Sequence, residues 1–264
     1  MFQRSTRQLT LTEAGEGFYS RISDSMKNLL TAIDDMSAAA SEPAGTLKIS
    51  MSRSFGLTNV IGLLPDFLTR YPLIKIDWRF ENRRVDLIAE RLDAAIGAGN
   101  DLPPEIVMRT LAPHHIIAVA APAYLDDKAL PEQPADLRAL DGIVVRSMET
   151  GLVREWTMRQ VTGEAAIPEF TARVILSDRE ASLQAVLLGM GVALVSMADA
   201  EPYLSCGSLI RVLPKWYVDA GVIGLYYSSR SMLPPKTRAF IDYLVPALQK
   251  QNLIERFDAT KHVP

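Results

Sequence analysis

The sequence predicts an α/β fold of two similar lobes, preceded by one long helix that needs a partner helix. Three observations predict it. Strands and helices alternate from residue 46 onward, a narrow apolar seam runs through residues 12–40, and a break containing Pro43 and Gly45 separates the two regions. Alternating strands and helices are typical of a parallel sheet covered on both faces. At 264 residues the chain can hold one large domain or two medium ones.

The first eleven residues form a short basic arm. Arg4 and Arg7 carry its charge, and it contains no acidic residue. Polar residues alternate with Leu9 and Leu11, a pattern that suits a small β-wing.

Residues 12–40 are predicted as one long helix. Thr12 is a good N-cap, and Thr10 with Glu13 offers an alternative capping box. Apolar residues recur in steps of three and four, the a/d seam of a helix that pairs with another helix. They are Phe18, Ile22, Met26, Leu29, Ile33 and Met36. We predict dimerisation through this seam; packing against the chain's own domain is the alternative. Residues 41–45 then act as a hinge, so that 12–45 is the linker region.

The first lobe begins with a strand, a helix and a second strand. Residues 47–51 alternate apolar with polar side chains, and residues 74–80 do so again. Between them, a helix from about Leu57 to Arg70 would place its apolar residues on one side. Those residues are Leu57, Val60, Ile61, Leu64, Phe67 and Leu68. Residues 85–92 are predicted as a second helix and 93–97 as a short buried strand.

The rest of the chain continues this order of strands and helices. Strands are predicted at 116–121, 142–146, 173–176, 192–195 and 222–227, and helices at 182–188 and 235–248. Strands near Val119 and Gly224 are expected to cross between the lobes. The predicted limits are 46–120 with 227–250 for lobe I and 121–226 for lobe II. Residues 251–264 remain as a tail without a clear pattern.

Composition and charge exclude several classes of protein. A net charge of −3 gives no general reason to bind nucleic acid or anionic membranes, so any charge that meets DNA must be local. A single cysteine, Cys206, excludes an internal disulfide and fits a reducing cytosol. The polar N-terminus lacks a signal-peptide core, and the apolar stretches are too short to span a bilayer. We predict a soluble, cytoplasmic protein without a membrane partner.

Motifs for catalysis or metal binding are lacking in the sequence. His114 and His115 are neighbours rather than an i, i+4 pair, so we expect them at a surface or a strand edge. The glycines at 189 and 191 lack the third glycine of a dinucleotide-binding fingerprint. The sequence contains neither a nucleophile elbow nor a Walker loop. We therefore predict no enzyme activity, no cofactor and no metal.

Several stretches in order resemble the LysR-type transcription regulators, from residue 2 to about residue 248. Each stretch is short, but their order and spacing match the family. They are FQRSTR (2–7), LTEAG (11–15), GTLKIS (45–50), LPxF (64–67), YP (71–72), VDLI (85–88), LDAAI (92–96), APAYL (121–125), PADL (134–137) and GMGVA (189–193).

The resemblance implies a periplasmic-binding-protein-like effector domain of two Rossmann-like subdomains, with a small molecule in the cleft between them. It also implies a homodimer or homotetramer built through the long helix. Residues 1–11 would be the remnant of a winged helix-turn-helix, whose Arg4 and Arg7 contact DNA phosphates. Because base readout normally requires the recognition helix before this wing, we expect this chain to bind DNA weakly or not at all.

The cleft is expected beyond the carboxyl ends of the parallel strands. Hydroxyls, amides and arginines at these ends suit a small carboxylate or other anion. N-capping of the next helix is an equal alternative for Ser52 and Ser54, and the favoured role for Asp178. The candidate ligand-binding residues are Ser52, Arg53, Ser54, Phe55, Asn82, Arg84, Ala98, Gly99, Arg146, Ser147, Ser177, Asp178, Ser196 and Met197.

The sequence therefore predicts the effector-sensing and oligomerising part of a LysR-type DNA-binding regulator. A stand-alone solute-binding protein is the alternative, but the missing signal peptide and the seam helix argue against it. An enzyme on a related two-lobed fold is a third hypothesis, which the lack of a catalytic constellation disfavours.

Overall fold

The computed structural model describes residues 2–4, 9–11, 17–18, 22, 42–83, 85–98, 103, 105–148, 150–228 and 233–261. Within the basic arm, strands β1 (Phe2–Arg4) and β2 (Leu9–Leu11) pair antiparallel. Of the predicted seam, Phe18 and Ile22 are helical and exposed. The remaining seam residues and three predicted site residues lie outside the described ranges: Met26, Leu29, Ile33, Met36, Arg7, Arg84 and Gly99.

Lobe I, as the name is used below, is built on three parallel strands: β3 (Gly45–Met51), β4 (Ile74–Phe80) and β5 (Ala94–Ala98). The strand β3 lies between the other two, with Leu47 opposite Ile76 and Met51 opposite Ile96. Leu47 and Ile49 are completely buried, as expected for a central strand covered on both faces. The strands predicted from alternation are therefore present.

The helical segment after β3 departs from the predicted single helix. It consists of α1 (Arg53–Phe55), a π-helical turn (Gly56–Val60), a 3₁₀ turn (Ile61–Leu63) and α2 (Leu64–Arg70). Val60 and Phe67 are buried as predicted, but Leu57, Ile61 and Leu68 are exposed. The wide π turn followed by a tight 3₁₀ turn breaks the 3.6-residue period, and the predicted apolar side with it.

Residues 85–92 form a turn, and the predicted helix there is wrong. The Asp86 carboxylate accepts the amide N–H groups of Ile88 and Ala89, each at 2.9 Å. Arg91 then adopts φ 54°, a left-handed conformation that ends the turn. The first amide N–H groups of a helix have no backbone partner. Here the side chain of Asp86 accepts two such groups, so the segment is stable as a turn.

Lobe II repeats the arrangement of lobe I. The long strand β6 (Ile106–Ala120) leads into three parallel strands in which β7 (Asp141–Val145) lies centrally. A small hairpin follows, and then the other two parallel strands and a short edge strand: β8 (Met158–Arg159), β9 (Ala165–Ala166), β10 (Thr171–Leu176), β11 (Val192–Ser196) and β12 (Ile210–Arg211). The helical elements are α3 (Pro122–Leu125), a 3₁₀ helix (Pro134–Ala139), α4 (Arg179–Leu187) and α5 (Met197–Ser205).

Two long strands join the lobes. The second of them, β13 (Val218–Ser228), pairs antiparallel with β6 along most of its length. At one end β13 pairs with β5 of lobe I, and at the other β6 pairs with β11 of lobe II. In the described chain, nine strands thus form one sheet in the order β10-β7-β11-β6-β13-β5-β3-β4, with β12 added beside β6. The predicted crossing strands near Val119 and Gly224 are parts of these longer strands.

The C-terminal region is folded rather than a tail. Helix α6 (Pro235–Gln249) covers lobe I and is followed by α7 (Leu253–Arg256). Leu253, Phe257 and Ala259 are buried in the main core. The folded part of the chain therefore continues past residue 250, the predicted limit of lobe I. Among the described helices none is both long and apolar enough to cross a bilayer.

Candidate ligand-binding cleft

The facing ends of the two lobes form an open cavity of about 570 Å³. Lobe I contributes Arg53, Leu57, Phe80 and Asn82, and lobe II contributes Asp178 and Glu180. All of these residues lie at or shortly after the carboxyl ends of parallel strands, or in the helices that follow. This is the position expected for a ligand site in open α/β sheets. The volume suits a small organic molecule.

Two polar contacts join the lobes across this cleft. The Arg53 guanidinium lies 3.8 Å from the Glu180 carboxylate, and both side chains are largely exposed to solvent. The Ser54 hydroxyl donates a hydrogen bond to the carboxylate of Asp199, in the first turn of α5. Burial raises the pKa of Asp199, and the hydrogen bond from Ser54 partly opposes this change. These polar contacts add to a hydrophobic core that both lobes share, to which Phe55 of lobe I and Met197 of lobe II belong.

Two arginines of lobe II lie close to one another, and one of them, Arg179, stands in the sequence between the cavity-lining residues Asp178 and Glu180. Arg179 begins α4, and Arg154 lies in the loop after β7, where its guanidinium stacks 3.9 Å from the centre of the Trp156 ring. Partial burial and the charge of Arg179 lower the pKa of Arg154. Among the described residues, no carboxylate lies within salt-bridge distance of either guanidinium. The carboxylate of Asp199 interacts electrostatically with Arg179, but two guanidiniums against one buried carboxylate leave a positive charge that favours an anion.

His114 lies where β6 passes from lobe I to lobe II. Its neighbours Pro113 and His115 pair with Val222 and Asp219, so His114 faces the irregularity in β13 at residues 220–221. The side chain is 9% exposed. Burial, followed by the charge of Arg179, lowers its pKa to about 4, although the hydrogen bond to the backbone of Ala220 opposes this. The ring is therefore neutral near pH 7, at the junction between the lobes.

The expectation that both histidines lie at the surface or at a strand edge is wrong. β6 is a central strand, so His115 is also largely buried. Its Nδ1 accepts a hydrogen bond from the amide N–H of Ala259 at 3.0 Å. Burial is the main cause that lowers the pKa of His115, and Asp258 opposes it.

Several predicted site residues do lie around the cleft. Arg53, Asn82 and Asp178 line the cavity, and Ser54 contacts Asp199. Asp178 also caps α4, because its carboxylate accepts the Ala181 amide at 2.8 Å, as the sequence favoured. The remaining candidates stand at strand ends without a described contact to the cavity: Ser52, Ala98, Arg146, Ser147, Ser177 and Ser196.

Phe55 and Met197 are corrections to the predicted site. Both are buried in the main hydrophobic core, at 4% and 1% exposure. They follow Ser54 and Ser196 at the beginning of a helix. Successive side chains in a helix point in directions about 100° apart. When consecutive residues after a strand are all selected as site residues, at least one of them therefore has a side chain that points into the core.

Sequence reasoning missed Arg154, Arg179, Asp199 and His114 as site residues. Arg179 and Asp199 lie in the first turns of helices that follow strands. The predicted site is limited to the first two residues after these strands, and each of these side chains is the third. Arg154 is placed by tertiary contacts, because the bridge between Arg146 and Val153 returns the loop to the strand end. The described residues contain no group of three or more side chains suited to hold a metal ion.

Two α/β lobes joined by two long strands, with a polar cleft between them, define a ligand-binding domain of the periplasmic-binding-protein type. The chain belongs to the LysR family of transcriptional regulators: the family model for the LysR substrate binding domain matches residues 40–249. The regulator DmlR of Escherichia coli K12 is 30% identical over 244 residues, covering 92% of this chain and 78% of DmlR. The activator TtdR of the same strain is 25% identical and covers 95% of this chain and 80% of TtdR.

Solved structures share this fold. The full-length Vibrio cholerae virulence activator AphB, a member of the LTTR protein family, aligns with a TM-score of 0.67 at 24% identity, over 93% of this chain and 83% of AphB. The LysR-type regulator CrgA of Neisseria meningitidis gives a TM-score of 0.67 at 23% identity, over 94% of this chain and 83% of CrgA. The predicted fold class and family are confirmed.

Proposed function

We propose that this LysR-type regulator senses a small carboxylate, which binds between its two lobes. The observation that carries the proposal is the pair of neighbouring arginines, Arg154 and Arg179, of which Arg179 directly follows the cavity-lining residue Asp178. A guanidinium binds a carboxylate through two parallel hydrogen bonds, which fixes both position and orientation. Cleft residues of lobe I, such as Asn82, would contact the other end of the ligand.

Ligand binding would regulate transcription by favouring one cleft geometry. A ligand shifts an equilibrium only through its different affinity for the two states. A carboxylate held by lobe II and contacted by lobe I binds the closed state more tightly. Closure would then reorient the subunits of a cytoplasmic homodimer or homotetramer and its DNA-binding parts.

Thermal unfolding with matched acids and amides tests the ligand class. Succinate and benzoate are compared with succinamide and benzamide, which keep the shape but lack the charge. At 100 times its Kd, a bound acid stabilises the fold by about 2.7 kcal/mol and raises Tm by roughly 5–11 °C. The effect should disappear in Arg179→Gln and Arg154→Gln. It should persist in Arg138→Gln, whose exposed side chain pairs with Glu169. Equal shifts for acids and amides would contradict the proposal.

The predicted seam remains a proposal for the dimer contact. Its two described members, Phe18 and Ile22, are 47% and 44% exposed on a single chain, which supports a partner surface. Ile22→Glu should shift the mass measured by light scattering toward the monomer. Ile254→Glu is the matched control, because Ile254 is 58% exposed outside the seam. A wild-type chain that is strictly monomeric would favour the alternative, a stand-alone solute-binding protein.

A further inference from the structure

A second cavity lies on lobe I, away from the cleft. It is open, has a volume of about 290 Å³, and is lined by residues of β6, β13, α6 and the segment just before α6. The lining residues are Arg109, Tyr227, Leu233, Arg238, Ile241 and Asp242. None of them lines the cleft cavity, so the two cavities are separate. The volume is close to the lower limit for ligand pockets and suits a small organic molecule.

The register of the two crossing strands builds one wall of this cavity. Arg109 of β6 lies opposite Leu225 of β13, and Tyr227 follows two residues later on β13. Because side chains two residues apart on a strand point to the same face, Arg109 and Tyr227 share one face of the sheet. The Nε–H group of Arg109 donates a hydrogen bond to the Tyr227 hydroxyl at 3.2 Å.

Helix α6 forms the other wall. Arg238, Ile241 and Asp242 are three and four residues apart, so they lie on the same side of the helix. Ile241 is buried, whereas Arg238 and Asp242 are exposed. Leu233, just before the helix, adds a second apolar side chain. The cavity therefore combines charged groups with a small apolar surface.

Hydrogen-bond donors outnumber acceptors around this cavity. Tyr227 is 1% exposed, and its hydroxyl oxygen accepts the bond from Arg109, so its own proton needs another acceptor. Within the described part of the chain, Arg109 uses one of its five N–H groups, and the side chains of Arg238 and Asp242 have neither a hydrogen bond nor an ion pair. Two guanidiniums and one carboxylate give the lining a net charge of +1.

We propose that this cavity is a second ligand site, which binds a small monocarboxylate with a short apolar group. The carboxylate accepts hydrogen bonds from Arg109, Arg238 and the Tyr227 hydroxyl, and the apolar group contacts Leu233. A single negative charge matches the net charge of the lining, whereas a doubly charged anion exceeds it and is repelled by Asp242. The site is independent of the proposed function, because it uses no residue of the cleft.

Methyl NMR of the full chain tests this site directly. The methyl groups of Leu233 and Ile241 are labelled with carbon-13, and their signals are followed during titration with isobutyrate at pH 8. Isobutyramide has the same shape without the charge, and inorganic phosphate is mostly doubly charged at this pH. We expect isobutyrate to shift both signals to saturation with a Kd on the order of 1 mM, and isobutyramide to give no saturable shift.

Substitutions identify the groups that hold the carboxylate. Arg109→Gln and Arg238→Gln should each weaken the binding of isobutyrate by about tenfold or more, because each removes charged hydrogen bonds. Asp242→Asn should strengthen binding roughly threefold, because it removes a repulsive charge. A variant that binds more tightly is necessarily folded. Arg138→Gln changes the net charge equally, but Arg138 lies on lobe II and pairs with Glu169, so its Kd should equal that of the wild type.

The outcomes separate this site from the cleft. In Arg179→Gln the shifts of Leu233 and Ile241 should persist, even where the thermal effect of cleft ligands is lost. The second site is overturned if the signals do not saturate, if isobutyramide acts equally, or if the shifts disappear in Arg179→Gln. A Kd that is unchanged in both Arg109→Gln and Arg238→Gln also overturns it. Phosphate that binds as tightly as isobutyrate would contradict the monocarboxylate. None of these results bears on the carboxylate sensor of the cleft, which the thermal experiment tests.

Discussion

The pH dependence of stability gives a direct test of the environment of His114. Its pKa is about 4 in the folded protein, against 6.5 for a free histidine. The unfolded chain therefore takes up a proton as the pH falls through 6.5, while the folded chain does not. Stability is lost between about pH 6.5 and pH 4 and does not fall further below that on account of this residue. A difference of about 2.5 between the two pKa values, at about 1.4 kcal/mol each, corresponds to roughly 3 kcal/mol.

The perturbation is His114→Phe, which removes the titrating group and keeps an aromatic ring. We would measure the free energy of unfolding by urea denaturation at pH 7, 6, 5 and 4.5 and at constant ionic strength, following tryptophan fluorescence. Other groups, including the neighbouring His115, titrate in both proteins. The gap between wild type and variant therefore reports His114, its interactions with Arg154 and Arg179 included. The wild type should lose about 2 kcal/mol or more relative to the variant between pH 7 and pH 4.5. A gap that stays constant within about 0.5 kcal/mol over this range would refute the buried, neutral histidine.

Two further predictions concern the fold that carries the cleft. Phe257→Ala should destabilise the protein by about 3–5 kcal/mol, because Phe257 is 1% exposed. Ile254→Ala in the same C-terminal region should change stability by less than about 0.5 kcal/mol. Equal effects of the two substitutions in thermal unfolding would mean that the C-terminus is not part of the core. Gly191→Ala should cost about 1–3 kcal/mol for its φ of 152° and about 1–3 kcal/mol more for the 2.2 Å approach of a Cβ atom to the Asp141 carbonyl oxygen. Gly163 also has a positive φ, but the space around it is open, so Gly163→Ala should carry only the cost of the backbone conformation. Equal urea midpoints of Gly163→Ala and Gly191→Ala would contradict the clash with Asp141.

The strands of the fold were predictable because each has a local pattern. Residues 47–51 and 74–80 alternate, and the structure has β3 and β4 at those places. The extent of β6 was not predictable, because its first half crosses between lobes and has mixed burial. The C-terminal residues were missed for a similar reason: Leu253 and Phe257 are too few to show a period, and their burial depends on surfaces distant in the sequence.

The candidate site was predictable in location but not in its charged residues. The rule that ligands meet the carboxyl ends of parallel strands selected Arg53, Asn82 and Asp178, which line the cavity. It cannot select Arg154, which a loop brings close to Arg179. Nor can it indicate that His114 is buried, because adjacent histidines on a strand point to opposite faces and both faces are covered here.

The contacts between the lobes are unequal on the two sides of the crossing strands, and this inequality indicates how the cleft would open. On the cleft side the lobes meet through the exposed pair Arg53–Glu180, and exposed pairs contribute only about 0–1 kcal/mol. On the other side the C-terminal region leaves α6 of lobe I and binds lobe II, where Arg256 pairs with Glu201 of α5 at 2.7 Å and Phe257 is buried. Helix α5 also carries Asp199, which Ser54 contacts at the cleft. Because the exposed pair costs less to break than the buried contacts at the C-terminal side, we expect opening to rotate lobe II about that side and to separate Arg53 from Glu180 first. A ligand that bridges Arg179 and lobe I opposes this rotation directly, so a modest binding energy suffices to shift the equilibrium.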